Sequence, residues 1–259
     1  MKIYYTNDGS QKDGFGAQYQ KIIYTILYCK FNNLEFIYTP FSNMEHNYDN
    51  DTNFIQKKEN LINLINHFPV ITNEIKNNNK INTLFFNDIR DFIENNITDI
   101  LQSDQIKEIR NIFWENKNRN IIFDNNNIHI GIHIRRPNVQ DNRLDGSDTP
   151  HNYYLKVINL IYNKYKIITN KKLVFHIYSQ GNSNDFIIYK NILDINTNNT
   201  EVVFHLNESI EKTFIEMVKS DVLILSRSSF SYIAAFLNEG EIYYQPFWHK
   251  PSNHWHITQ

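Results

Sequence analysis

The chain has 259 residues, 41% of them hydrophobic, and a formal net charge of −2. That is enough apolar material for one large domain or two smaller ones, and the charge gives no overall field to attract nucleic acid or an acidic membrane. The single cysteine, Cys29, excludes an internal disulfide and favours a reducing compartment. Met1 to Tyr5 lacks the apolar core of a signal peptide, and no run approaches the roughly 18 apolar residues of a membrane span. The expectation is a soluble, cytoplasmic protein.

Lys2 to Tyr5 reads as a first strand. A Gly-rich loop, Asp13-Gly14-Phe15-Gly16-Ala17-Gln18, precedes a helical spacing of Tyr19, Ile22, Ile23, Ile26 and Leu27. Such a loop lets a ligand approach the backbone at a helix start, although most glycines before helices are only turn residues. Leu34 to Tyr38 reads as the next strand, which makes a β-loop-α-β opening. Residues 41–55 are polar, and Asp49-Asn50-Asp51 there has a D-x-D spacing that can hold a divalent cation, although chance in an Asn/Asp-rich loop explains it better. A helix is expected over Phe54 to Ile65, a strand over Thr83 to Phe86, and helices over Ile89 to Ile97 and Gln105 to Trp114. Asn116 to Asn126 is the candidate boundary, with Ile121 to Phe123 open as a further strand. The division expected is 1–120 and 121–259.

The stretch from Asn127 to Arg136 organises the rest. Ile128, Ile130, Ile132 and Ile134 alternate with His129, Gly131 and His133, the period-2 pattern of a strand, and the run ends at Arg135-Arg136 before Pro137. Carboxyl ends of strands in open α/β sheets are where ligands bind, and a guanidinium matches phosphate oxygens bidentately. The residues alone leave two readings open: a diphosphate site, or two surface arginines with one in a salt bridge. The polar loop Asn138 to Pro150, with Asp141, Arg143, Asp145 and Asp148, is either an active-site flap or a solvated loop.

Helices and strands then alternate: Asn152 to Tyr165, the strand Leu173 to Tyr178 ending in Ser179-Gln180-Gly181, the helix Asp185 to Leu193, and the strand Glu201 to Phe204. They continue with the helix Ser209 to Lys219, the strand Asp221 to Leu225, a helix ending at Leu237, and Ile242 to Tyr244 closing the sheet. This alternation argues for a parallel, doubly wound sheet. The serine turn Ser226 to Ser231 places Ser228 and Ser229 where a strand gives way to a helix, as phosphate-binding hydroxyls or as a plain N-cap. The tail, with Trp248, His249, His254, Trp255 and His256, reads as aromatic packing on the sheet in preference to a metal site.

Together these residues resemble the fucosyltransferase superfamily that forms α1,2 and α1,6 linkages and modifies protein serine or threonine. His133-Ile134-Arg135-Arg136 is similar to its H-x-R-R motif, Gly14 to Gln18 to its G-x-G-N-Q loop, and Ser228 to Leu237 to the S-S-F-S-x-x-A-A-x-L stretch of the α1,2 enzymes. The resemblance implies an α/β fold of two Rossmann-like domains facing each other (the GT-B type), an acceptor-side domain first and a donor domain second. It implies a GDP-fucose donor, a glycan or other hydroxyl acceptor, inversion at the sugar carbon, and no metal or other cofactor. By position, His133 would meet guanine or ribose, and Arg136 with Arg135 would hold the β-phosphate. Ser228, Ser229 and Phe230 would line the diphosphate and fucose pocket, Glu211 would read the guanine edge, and Ser179 joins the donor-side set. Gly14, Phe15, Gly16 and Gln18 would face acceptor or sugar. The motif departs from the family pattern at Asn138, where an aspartate is usual, and at Ala17, where an asparagine is usual. Asp13 is the first candidate for a general base, followed by Asp141 and His46. The alternatives are a relative that uses another nucleotide sugar, or one that binds GDP or sugar without turnover.

Overall fold

The computed structural model describes residues 1–10, 12–136, 148–194 and 199–258. Asn138, Asp141, Arg143 and Asp145 lie outside the described residues. The chain divides into two compact units, Met1–Lys117 and Asn118–Gln259.

The first unit is built on helix α1 (Phe15–Phe31), whose Tyr19, Ile23, Tyr24, Ile26, Leu27 and Cys29 are completely buried. Apolar side chains point in almost every direction from it, so α1 is a core helix rather than an amphipathic cover. Its sheet has two strands, β1 (Ile3–Asn7) and β2 (Lys80–Leu84), paired in parallel. The remaining helices are α2 (Phe54–Ile62), α3 (Asn73–Asn78), α4 (Phe86–Asn95), α5 (Ile97–Gln102) and α6 (Asp104–Trp114).

Two strand expectations need correction here. Leu34 to Tyr38 forms no regular strand: Phe36 bridges Tyr5 and Tyr38 bridges Val70. Its hydrogen bonds are split between two partners, Ile37 N to Tyr5 O at 2.9 Å and Tyr38 N to Pro69 O at 2.8 Å, so no continuous ladder develops. The strand expected at Thr83 to Phe86 is β2, displaced toward the polar Lys80, because Phe86 already begins α4. The helix expected from Ile89 to Ile97 is split at Asn96 into α4 and α5.

The second unit holds six parallel strands in the order β5-β4-β3-β6-β7-β8. They are β3 (Ile128–His133), β4 (Leu173–Ser179), β5 (Thr200–Leu206), β6 (Val222–Ile224), β7 (Glu241–Tyr244) and β8 (His256–Ile257). Helices α7 (His151–Ile168), α8 (Ile187–Asp194), α9 (Ile210–Lys219) and α10 (Ser229–Leu237) make the crossovers. The chain moves outward from β3 to β5, returns to lay β6 beside β3, then moves outward the other way. The order therefore reverses between β3 and β6, which is the topological switch point of such a sheet.

The β-branched side chains of β3 decide which face is which. Ile130 and Ile132, with Phe175 and Ile177 of β4, pack under Tyr154, Val157, Ile158 and Ile161 of α7. The opposite face presents His129, Gly131 and His133, and α9 packs against it there. Ile121 to Phe123 is not a strand. Arg119–Ile121 is a short 3₁₀ turn, and the Phe123 ring stacks on His129 at 4.4 Å. Nor does β7 close the sheet: the tail returns as β8, pairing Tyr243 with His256 and Tyr244 with Ile257.

Candidate active site

The H-x-R-R stretch leaves β3 at the switch point. Ile134 N donates to Tyr178 O at 2.9 Å, and Ser179 Oγ donates to Ile134 O at 2.7 Å, so the chain beyond β3 stays fastened along β4. Ser179 thus acts on the backbone that leads into the arginines. His133 is buried, with Nδ1 2.7 Å from Ser226 Oγ at the end of β6 and its ring 5.3 Å from that of Phe230. This contact joins the two strands across which the sheet order reverses.

The serine turn is braced from several sides. Ser228 caps α10 by accepting from Phe230 N at 3.3 Å. Ser226 N donates to Ser231 Oγ at 3.3 Å, and Arg227 N donates to Thr149 Oγ1 at 3.0 Å. Ser229 Oγ lies 3.3 Å from His249 Nε2, and that imidazole stacks on Tyr232 at 4.6 Å. The nine-residue α10 thereby starts at the carboxyl end of β6 with its first N–H groups on the ligand-binding edge.

Arg136 is held from the β4 side. Its Nη1 lies 3.0 Å from Asp185 Oδ2, and its guanidinium sits 5.5 Å over the Phe186 ring. The Asp185 carboxyl is held below the usual carboxylate range, first by the Asn182 backbone N–H and then by Arg136. Gly181 makes the arrangement possible. Its φ is +123°, and an added Cβ would stand 2.7 Å from Asp185 Oδ2 and 3.2 Å from Arg136 Nη1. Arg135 turns a donor back on its neighbour, Nη1 to Arg136 O at 3.0 Å.

The structure therefore gathers His133, Phe230, Ser228 and Ser229 in one corner, with Arg135, Arg136 and Ser179 on the ends of β3 and β4. Glu211 stands in the first turn of α9, which follows β5. Asp185, Gly181, Ser226, Thr149 and His249 complete the arrangement and carried no individual signal as site residues. Asp185 looks like an ordinary helix start, and its role depends on which arginine reaches it across 49 residues of chain.

The other group lies within the first unit. The expected Gly-rich loop is mostly helix: Gly14 is the N-cap of α1, and Phe15, Gly16, Ala17 and Gln18 form its first turn. Phe15, Gly16 and Gln18 are buried, so packing along the largely buried α1 draws them into the helix. Gln18 Nε2 donates to Asp13 O at 2.8 Å and to Asn43 O at 2.6 Å, and Glu45 N donates to Asp13 O at 3.0 Å. Asp13 Oδ2 pairs with Lys21 Nζ at 3.1 Å. His46 Nδ1 lies 2.6 Å from Tyr48 Oη, and its ring fills the space where a Gly14 Cβ would be. Two of the three base candidates, Asp13 and His46, are thus neighbours through Gly14.

Among the described residues, His205, Glu208 and Glu216 form the group with the makings of a metal site, but Lys212 Nζ already lies 2.8 and 2.7 Å from the two Glu208 oxygens. Asp51 is similarly paired with Lys57 at 2.7 Å. In the tail, Trp255 packs at 5.5 Å from Tyr232 and 5.9 Å from Tyr244, while His256 Nε2 lies 3.4 Å from Glu241. No helix among the described residues is long and apolar enough to cross a membrane.

A doubly wound parallel sheet with arginines, serines and a helix N-terminus at its switch point is the build of a ligand-binding α/β domain. Residues 47–251 match the family model of glycosyl transferase family 11. The chain belongs to that family: it is a glycosyltransferase, of the fucosyltransferase group that its motifs resemble. The H-x-R-R and serine-turn segments fall within the matched residues, whereas Asp13 to Gln18 precede them. No curated protein sequence matches the chain. Among solved structures, it is similar to the fucosyltransferase NodZ from Bradyrhizobium, at 11% identity over 92% of this chain and 93% of that one, with a TM-score of 0.42. NodZ α-1,6-fucosyltransferase co-crystallized with GDP gives 10% identity over 92% of each chain and a TM-score of 0.39. The E. coli heptosyltransferase WaaC with ADP-2-deoxy-2-fluoro heptose gives 9% identity over 99% of this chain and 93% of that one, with a TM-score of 0.43. Family membership rests on the match over 47–251 rather than on these distant likenesses.

Proposed function

We propose that the protein transfers fucose from GDP-fucose to a glycan or other hydroxyl acceptor, with inversion and without a metal ion. The observation that carries this reading is the meeting of His133, Ser226 and Phe230 across the switch point, with Arg136 braced beside it by Asp185. The second unit would hold the donor and the first the acceptor.

In the reaction, the acceptor oxygen bonds to the anomeric carbon as the bond from that carbon to the β-phosphate oxygen breaks. The electron pair of the broken bond stays on GDP. Arg136 offers a rigid fork of donors to that growing charge, and Asp185 orients the fork before any ligand arrives. Electrostatic stabilisation of this kind works because the donors need no reorganisation as the charge develops. Ser228, Ser229 and the first N–H groups of α10 supply neutral donors to the same diphosphate. His133 would contact the guanosine, with its ring set by Ser226, and Glu211 would accept from the guanine edge. Asp13 is the proposed base for the acceptor hydroxyl proton, and Gly14, Phe15, Gly16 and Gln18 form the turn that positions it.

Calorimetric titration with GDP, UDP and GDP-fucose in EDTA tests the donor site. GDP should bind in preference to UDP, and Arg136→Ala should weaken GDP binding by about 2 kcal/mol, the scale of a hydrogen bond to a charged group. Preference for UDP, or indifference to the arginine, would overturn the assignment. Release of GDP from GDP-fucose with a hydroxyl acceptor present, in EDTA, is the complementary measurement for transfer.

A further inference from the structure

Three histidines run diagonally across the second unit's sheet in one hydrogen-bonded row. His129 Nδ1 lies 2.9 Å from His176 Nε2, and His176 Nδ1 lies 2.9 Å from His205 Nε2. At one end His129 Nε2 faces the Asp124 carbonyl at 3.1 Å, with an Asp124 carboxylate oxygen at 3.5 Å. At the other, His205 Nδ1 faces Glu208 Oε1 at 3.3 Å and Glu216 Oε2 at 3.4 Å. His129 and His176 are buried, and the His205 side chain is 11% exposed.

Counting protons along the row gives an imbalance. Each of the two imidazole–imidazole links requires one N–H. Both ends meet groups that accept when the carboxylates are ionised, so each end requires a further ring N–H. The row needs four ring protons, and three neutral imidazoles carry three. We propose that the row is a proton store, holding one excess proton on His205 Nδ1 between Glu208 and Glu216.

The surroundings favour that end. Lys171, Lys219 and Asp221 lie around the His129 end with Asp124, and Asp221 accepts from the His129 backbone N at 2.8 Å. The His205 end faces Tyr178 from β4, together with Glu208, Lys212 and Glu216 from α9 and the turn before it. There, two carboxylates stand against one ammonium, so one imidazolium brings the local charge to zero. The central position is the least suited, since burial and its two imidazole neighbours hold the His176 pKa down to about 3. The excess proton thus ties the first turns of α9 to β5. Free histidine is mostly neutral above pH 7, so folding takes up about one proton there and stability falls as pH rises.

Ring ¹⁵N NMR of the whole protein between pH 6 and 9 tests this directly. At pH 7.5 His205 should carry both ring protons, with His129 and His176 neutral. Glu216→Gln offers an amide N–H to His205 Nδ1 in place of the proton. Between pH 7.5 and 9 the unfolding constant of the wild type should climb up to tenfold more per pH unit than that of the variant, the slope of one linked proton. A neutral His205 at pH 7.5, or equal slopes, would overturn the proposal. If the variant does not fold, the wild-type spectra decide alone.

Discussion

In the second unit, six parallel strands carry the H-x-R-R and serine-turn residues on their carboxyl ends; in the first, a two-stranded sheet leaves the placing of Asp13, Gln18 and His46 to helix α1 and the turns around it. The difference lies in how position is maintained. His133 and Ser226 stay 2.7 Å apart because β3 and β6 are locked in register under a buried aromatic and aliphatic layer. Asp13 and Gln18 are held by individual hydrogen bonds to loop carbonyls, each worth only about 1 kcal/mol net. A group that must meet developing charge within a fraction of an ångström gains from the first arrangement.

The largest test of that contrast is Phe175→Ala. Phe175 is completely buried in β4, on the layer that fixes the switch point, and its truncation should cost about 3–5 kcal/mol in urea unfolding. A loss well below that would mean that register rather than packing holds the sheet.

Next in size is acidification. His176 is kept neutral, with its pKa depressed by burial to about 3. Its folded value lies below its unfolded one, so its contribution is present at neutral pH and drains away as pH falls below the unfolded value of about 6.5. Lowering the pH from 7 to 5 should remove about 2 kcal/mol through this residue. Glu59 in the first unit works in the opposite sense. Burial raises its pKa, although Phe41 N and the Tyr38 hydroxyl donate to it. A carboxyl whose folded pKa is raised favours folding more as pH falls. Urea unfolding at pH 7 and pH 5 of the wild type, His176→Phe and Glu59→Gln separates the two effects.

The smallest contrast is between two glycines. Gly181→Ala forces a side chain into φ +123° against the Asp185 carboxylate; it should cost about 1–3 kcal/mol and loosen the Arg136–Asp185 pair, lowering GDP affinity with it. Gly14 has φ −71°, and only the His46 ring stands in the way of an added Cβ. Gly14→Ala should therefore displace that ring and give up a favoured N-cap residue, costing on the order of 1 kcal/mol by thermal unfolding, and leave GDP binding unchanged.

Much of the second unit was legible in the order of its residues. The alternation of Ile128 to Ile134, the apolar runs at Leu173 and Val222, the helix opening at Ser209, and Ser228 as an N-cap are local patterns, and they specified strands and helix starts close to those observed. The first unit was harder to read. Lys80 to Asn82 has no strand-like alternation and becomes β2 only because β1 pairs with it, while Leu34 to Tyr38 has the pattern and lacks a single partner along its length.

What the sequence determined by itself is therefore the kind of element at each place and the types of donor at the strand ends, because backbone periodicity, capping and side-chain chemistry act over a few residues. The tertiary structure alone decided that Arg136 meets Asp185, that His133 meets Ser226, and that His129, His176 and His205 form one row. Those meetings depend on strand order and register: a one-residue slip in a strand would turn each of its side chains to the other face of the sheet.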